Sequence, residues 1–536
     1  MCVSNLQENH TPYQLNLPLD ITLKADEIIK SDDLVTTVTD AVRDSGIIKY
    51  VNFKNRDAHG YDSIKMLTVV MLAWTIYGYA SVRELEEYCR NDIRFIIVTD
   101  GMRPSFMAFE RFIHDDLTGS IEEIFTQLNK YIEKKDGNIN TSILYIDGTK
   151  YEAYANKMTF VWMNGTKKRR TKLWRECMER LTADNKHMEK ENINVRFSIL
   201  HEMNFAYLMK VCETFEQLMK DKKIEIIHGR GHRKHWLQKE MEYFRDSALR
   251  MWKYQMHFDI AGDRNSFSKT DPDATFMHMK YDYYNHTNVF KPGYNVQMGV
   301  SEGYIRVTYV SADPNDMKTY IPLMDKYHRM YGEYPKKTPA DAGYGGFDNY
   351  YYCKMNGIGL WLKYPGQEKK KEKITDKNKF KSWAIQKNQN EDDLPVCPAG
   401  YAFKVSSVRT ENRGMYPRIQ EKLINDHCEG CPLRRKCTKS KKGRQISRCP
   451  QLNQFQKEVD ENMSTEEGKR LMNNRDIWSE GTFGGLKEDQ EYERLHRRGK
   501  TNVNLELLLV CIGHNLRRLY VREHPDQTKD SQNQKA

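Results

Sequence analysis

The spacing of apolar residues changes character along the chain, and each change predicts a different element. From about residue 60 to 137 the period is helical. In SIEEIFTQLNKYIEKKDG, Ile121, Ile124, Phe125, Leu128 and Ile132 form one stripe of an amphipathic helix. Ser120 with Glu123 predicts a capping box, and Gly137 a stop. The preceding MLTVVMLAWTIYGYASVRELEEYCRNDIRF predicts two more helices, before a Gly/Pro break in GMRPSFMAFERF. Met66–Val82, the longest uncharged stretch, is short for a membrane span and contains Thr, Tyr, Gly and Ser, so it reads as a buried helix. Short helices with such a break suit a helix-turn-helix, and equally other helical bundles.

The pattern then turns to strands. Ile143–Ile146 form a short apolar run leading into Asp147 and ending at Gly148, which predicts a buried strand. A basic cluster, Lys167–Arg170, follows, and residues 172–260 read as largely helical and highly charged. HGRGHRKH (228–235) is basic, Gly-broken and widely spaced in His, a loop and not a metal site. NVFKPGYNVQMGVSEGYIRVTYVS holds β-rich runs split at Gly303, which predicts a hairpin. Residues 316–331 predict a helix, and Asp341 then opens a Gly-rich turn after a short strand. Such alternation predicts a mixed α/β core. Residues 366–393 are Lys-rich and nearly free of apolar residues, an exposed connector or insertion. Residues 460–522 read as helical, and the tail as disordered.

Composition narrows the partners. The 536 residues are 39% apolar and 30% charged, and 85 Lys plus Arg against 74 Asp plus Glu leave a net charge of +11. That balance favours a polyanion. The N-terminal residues show no basic region followed by an apolar run, and the eleven Cys do not form a secreted disulfide pattern, so cytoplasm is the expected compartment.

Three carboxylates stand at positions suited to chemistry: Asp147 after an apolar strand, Asp341 at a Gly-rich turn and Glu480 in NNRDIWSEGTFGGLKED. Carboxylates so placed can hold two Mg²⁺ ions roughly 3.5–4 Å apart, which stabilise the attacking and leaving oxygens of a phosphoryl transfer. Asp271 and Asp273 are rivals on the same kind of evidence. Lys487, seven residues after Glu480, would share its helix face, with Gly484 between them and Gly481 and Gly485 alongside. Each Gly costs a helix about 1 kcal/mol relative to Ala, which close approach of a ligand backbone would explain. Arg497, Arg498 and Lys500 are candidate phosphate contacts. Cys428, Cys431 and Cys437 are spaced C-x2-C-x5-C, with Cys397 upstream. Paired thiolates at this spacing fit tetrahedral zinc, and His427 or Cys449 could also supply a ligand. The basic residues from Arg434 to Arg444 could lie on phosphates.

YIDGTKYEAYANKMTFVW, TDPDATFMHMK, KPGYNVQ, ADAGYG and SEGTFGGLKED occur in this order. Together they resemble the bacterial insertion-sequence transposases of the DDE class, in the branch named after insertion sequence 1182, over residues 60–520. The resemblance implies a ribonuclease-H-like α/β core with an all-α N-terminal DNA-binding domain and a Cys-rich insertion. It implies Asp147, Asp341 and Glu480 as catalytic Mg²⁺ (or Mn²⁺) ligands, and Lys487 as the Lys of a Glu-x6-Lys pattern. Arg475 would be the upstream Arg, although it stands five residues before the Glu where the wider group often has four. The resemblance favours Cys397, Cys428, Cys431 and Cys437 as the zinc set. The implied organisation is an N-terminal segment (1–59), a helical DNA-binding domain (60–137) and a first core part (138–365) with a helical insertion at about 165–260. A zinc insertion (366–455), a last core part with the Glu-bearing helix (456–522) and a tail (523–536) follow. The implied reaction is DNA cleavage at transposon ends and strand transfer into target DNA, by a homo-oligomer on the nucleoid with no membrane partner. The alternative is a transposase-derived DNA-binding protein without catalysis.

Overall fold

The computed structural model describes residues 29–51, 60–229, 232–279, 289–391, 393–490 and 492–525. Much of the N-terminal segment and most of the expected tail lie outside the described residues.

The chain begins with helices: α1 (Leu34–Asp44), α2 (Ser63–Tyr77), α3 (Val82–Asn91), α4 (Ile93–Val98), α5 (Phe106–Arg111) and α6 (Ile121–Asp136). α2 is buried from Met66 to Thr75, as its uncharged sequence predicts. The capping box expected at Ser120 is absent. The chain enters α6 from a π turn at Phe112–Leu117, so Ser120 is not extended (φ −127°, ψ 0°) and its hydroxyl donates back to Asp116 O at 3.5 Å. A true capping box stands at Ser81 and Glu84. Gly137 does end α6, in the left-handed conformation (φ 67°).

The mixed α/β core follows. β1 (Tyr145–Glu152) and β2 (Phe160–Trp162) precede three long helices, α7 (Met163–Lys190), α8 (Phe205–Asp221) and α9 (Trp236–Ala261). These three bury a core of their own around Leu181, Phe215 and Phe244. Lys167–Arg170 lies on α7. β3 (Ser266–Ser268), β4 (Thr275–His278), β5 (Phe290–Ser301) and β6 (Tyr304–Ser311) come next, with the hairpin at Gly303 as expected. β5 pairs antiparallel with β1 and with β6. On the far side of β1 the chain adds two parallel segments, through bridges Ile143–Lys337, Lys337–Gly359 and Ala340–Leu362. One sheet face packs on α10 (Tyr320–Tyr331) and α11 (Phe347–Met355) through Leu144, Ile146, Leu323 and Tyr350.

Residues 366–393 are more than a connector. They form α12 (Gln367–Lys371) and α13 (Ser382–Lys387). Ile385 of α13 shares a small core with Phe403, Leu423 and Ile446. That core lies under a three-stranded antiparallel sheet, β7 (Lys404–Glu411), β8 (Arg418–Ile424) and β9 (Gln445–Arg448), with α14 (Arg434–Cys437) between β8 and β9. The expected boundary at 455/456 falls inside α15 (Pro450–Ser464).

α16 (Glu466–Arg475) passes through a π turn (Asp476–Glu480), α17 (Gly481–Gly484) and a second π turn (Gly485–Asp489), with right-handed helical dihedrals at each junction. α18 (Lys500–Glu523) closes the fold. It crosses α2 so closely that a Cβ on Gly513 would lie 2.3 Å from Trp74 O. α2, α6, α18 and the inner face of β5 and β6 share one apolar core, so the N-terminal helices are packed into the body of the protein. No single helix among the described residues is long and apolar enough to cross a membrane.

Candidate active site

Asp147 is the third residue of β1 rather than its end. The strand continues because Gly148, paired with Gln297 of β5, has no side chain: a Cβ there would meet Gln297 Nε2 at 2.4 Å. Beside β1, Ile146 N donates to Pro339 O at 3.0 Å, so the chain emerging at Asp341 lies next to Asp147. Gly343 N holds Asp341 Oδ1 at 2.8 Å.

Glu480 comes from the π turn after α16, and that turn resolves the odd spacing of Arg475. A π turn closes i→i+5 bonds and adds a residue to an α-helical turn. Five residues therefore bring Arg475 over Glu480, as four would in an α-helix. The guanidinium spans the site, with Nη1 at 3.7 Å from Asp147 Oδ1 and Nη2 at 3.7 Å from Glu480 Oε1. It also pairs with Asp476 at 2.6 Å.

Burial pushes the Asp147 carboxyl up to about 6. Asp341 and Glu480 add repulsion, while Arg475 and the Gly148 N–H oppose the rise. Desolvated negative charge with one cation between two carboxylates suits a hard divalent ion, whose charge would relieve it. Among the described residues, no three or more His, Cys, Asp or Glu side chains are arranged as a ready-made metal cage.

A cleft of about 1150 Å³ opens over this point. Asp147, Glu480, Gly484 and Lys487 line it; Asp341 is not among its lining residues. Lys487 Nζ donates to Thr149 Oγ1 at 2.6 Å and lies 4.7 Å from the Tyr151 ring, so it faces β1. A Cβ on Gly481 or Gly484 would meet nothing within 4 Å, so packing does not require either glycine. Arg494, from the basic run 494–500, also lines the cleft, as do Lys150, Lys291, Asn295 and Asp316, which the sequence reading passed over. Lys150, Lys291 and Asn295 lie inside the blocks YIDGTKYE and KPGYNVQ, which is the signal that could have found them.

The other candidates are engaged with the protein. Arg497 makes a two-pronged ion pair with Glu110 (3.2 and 3.0 Å), which ties the C-terminal segment to α5. Arg498 Nε donates to Tyr154 O at 2.8 Å. Lys500 stands 5.0 Å from the Tyr309 ring. The rival Asp271 is buried and accepts from Tyr294 OH (2.9 Å) and Gly499 N (3.1 Å). Asp273 accepts from Lys500 N at 2.9 Å. Both clasp the start of α18 and stand apart from Asp147.

Cys397, Cys428, Cys431 and Cys437 line one small pocket with His427 and Arg444. Burial and the three neighbouring thiols raise the Cys437 thiol, while Arg444 opposes them. Tyr401 N approaches Cys397 Sγ at 3.4 Å, and Arg444 N approaches Cys428 Sγ at 3.3 Å. Cys449 is buried outside this pocket, at the start of α15. The Arg434 and Arg444 guanidiniums donate to the backbone carbonyls of Lys441, Cys437 and Phe380.

Residues 396–520 match the family model described as the transposase DDE domain. The match covers Glu480, Lys487 and the four cysteines and leaves Asp147 and Asp341 outside it. It supports a transposase of the DDE type, a class that acts on DNA and generally uses a divalent metal. Comparison with curated proteins and with solved structures found no match.

Proposed function

We propose that this protein is a DDE transposase of the insertion-sequence-1182 branch, cutting DNA at transposon ends and joining the freed end to target DNA. The observation that carries the reading is the placement of Asp147 and Glu480, from segments far apart in sequence, on two sides of Arg475, with Asp341 brought beside Asp147 by the chain that pairs with the start of β1. The three carboxylates supply the oxygens that would hold Mg²⁺ or Mn²⁺. When bound, the metal would activate the attacking water or hydroxyl and stabilise the leaving oxygen. Arg475 stands between Asp147 and Glu480, and its charge opposes the rise that burial imposes on Asp147. Lys150, Lys291, Lys487 and Arg494 are the cations of a cleft that Glu152, Glu488 and Glu493 also line; Lys291 and Arg494 face Glu152, and a phosphodiester backbone would compete for them there. Gly481 and Gly484 leave the helix surface bare beside Glu480, where a DNA strand can approach.

The ribonuclease-H-like reading of the core is supported by a sheet of four antiparallel strands, β1, β4, β5 and β6, extended by two parallel segments beside β1. The Cys pocket is read as a structural zinc site, on the support of four cysteines lining one small pocket and two amide N–H groups aimed at sulfur, although among the described residues no three of these side chains stand as a ready-made metal cage. A bacterial cytoplasmic setting, action on the nucleoid and assembly as a homo-oligomer on paired ends belong to the same proposal.

A strand-transfer assay with Mg²⁺ and DNA carrying the element's terminal repeats tests it. Cleavage followed by joining is expected. Binding without cleavage would instead identify a transposase-derived DNA-binding protein, and cleavage without joining a metal nuclease.

A further inference from the structure

We propose that Asp316 is a fourth carboxylate of the same centre, with its Oδ2 directed at a divalent cation shared with Asp341. The inference rests on the active-site reading above. Asp316 opens a short 3₁₀ turn between β6 and α10 and lines the same cleft as Asp147 and Glu480.

Its orientation is fixed from beneath by buried neutral groups. Oδ1 accepts from Asn295 Nδ2 at 2.7 Å and from Gln297 Nε2 at 3.0 Å. Gln297 Nε2 also donates to Asn295 Oδ1 at 2.9 Å, and Gln297 Oε1 accepts from the Tyr344 hydroxyl. Asn295, Gln297 and Tyr344 are all buried. A buried polar network of this kind is costly unless every member is satisfied, and here its members converge on one carboxylate oxygen. The nearest Lys in sequence, Lys318, pairs with Asp313 at 2.9 Å instead.

The second oxygen faces Asp341 across an open point. A Cβ on Gly343 would lie 3.0 Å from Asp341 Oδ1 and 3.4 Å from Asp316 Oδ2. Gly343 does not have a positive φ, so the backbone there does not demand glycine. What glycine provides is space between two carboxylates. The Tyr344 hydroxyl, raised by burial first, also feels the charges of Asp316, Asp147 and Asp341, with Arg475 opposing them. Hard anionic oxygens on opposite sides of a gap are the donor set that Mg²⁺ and Mn²⁺ take.

Titrating the metal-free full chain with Mn²⁺ and no DNA, by calorimetry, tests the inference without reference to catalysis. Asp316→Asn keeps an acceptor for Asn295 and Gln297 and removes only the charge. Gly343→Ala keeps every carboxylate and fills the gap. Both variants are expected to weaken Mn²⁺ binding roughly tenfold or more. Asp313→Asn, which disturbs only the Lys318 pair, is expected to bind as the parent chain does. Parent-like Mn²⁺ affinity in Asp316→Asn, with binding lost in Asp147→Asn, overturns the inference and leaves the active-site reading standing. Parent-like affinity in Asp147→Asn overturns that reading and the inference with it.

Discussion

Replacing Asp147 with Asn should make the metal-free protein more stable at neutral pH. The folded state holds this carboxyl at about 6 against an ordinary 3.8, chiefly through burial. The unfolded chain therefore releases the proton near pH 4, and the native chain only near pH 6. Between these values the native state binds more protons, so stability falls as pH rises. The displacement corresponds to about 3 kcal/mol once both states are ionised. The side chain is 19% exposed, so solvent screening takes away only part of this. Asn mimics the neutral acid and can still accept the Gly148 N–H bond at 2.9 Å. Urea melts in EDTA should show Asp147→Asn more stable than the parent by about 2–3 kcal/mol at pH 7.5, with the gap closing at pH 4. Adding Mg²⁺ should stabilise the parent and not the variant. Equal stability at pH 7.5 would refute the reasoning, because the carboxylate would then bear no cost of burial or crowding.

Gly484→Ala should raise helix stability by about 1 kcal/mol, since a Cβ there meets nothing, yet weaken DNA binding in a gel-shift titration; unchanged affinity would show that no strand approaches that face. Arg497→Ala should lower the melting temperature by breaking the Glu110 pair, while the dependence of DNA affinity on salt concentration stays as in the parent. A loss of slope near one phosphate contact would return Arg497 to the DNA surface. Metal analysis of purified protein should find about one zinc per chain, lost in Cys428→Ser; a zinc-free, fully folded protein would remove the zinc site.

Long, strongly periodic segments were legible in the sequence: α6 from its Ile and Leu stripe, α2 from its uncharged run, and the β5–β6 hairpin from Gly303. Asp147, Asp341 and Glu480 stand out in the sequence through ordered motif blocks; Asp147 and Glu480 each lie 3.7 Å from Arg475, and Asp341 follows the segment that pairs beside Asp147. What sequence periodicity could not carry was non-local. β7 is exposed along nearly its whole length and β8 is mostly half-buried with only Leu423 fully buried, so no buried alternation marks them. The helix from α16 onward inserts π turns, and its side-chain spacing departs from 3.6 residues just where Arg475 and Glu480 meet. Asp316 carries no motif of its own; only the pairing of β5 with β6 and the turn at Gly343 bring it to the cleft. Arg497 reads as a free basic residue until Glu110, far away in sequence, is seen beside it.

The most direct test of the account is cleavage of terminal-repeat DNA by Asp147→Asn, Asp341→Asn and Glu480→Gln, each compared with the parent in Mg²⁺ and each checked for end binding. The account predicts that all three bind the ends and none cuts. Parent-like cleavage by any one of them would contradict its place in the centre.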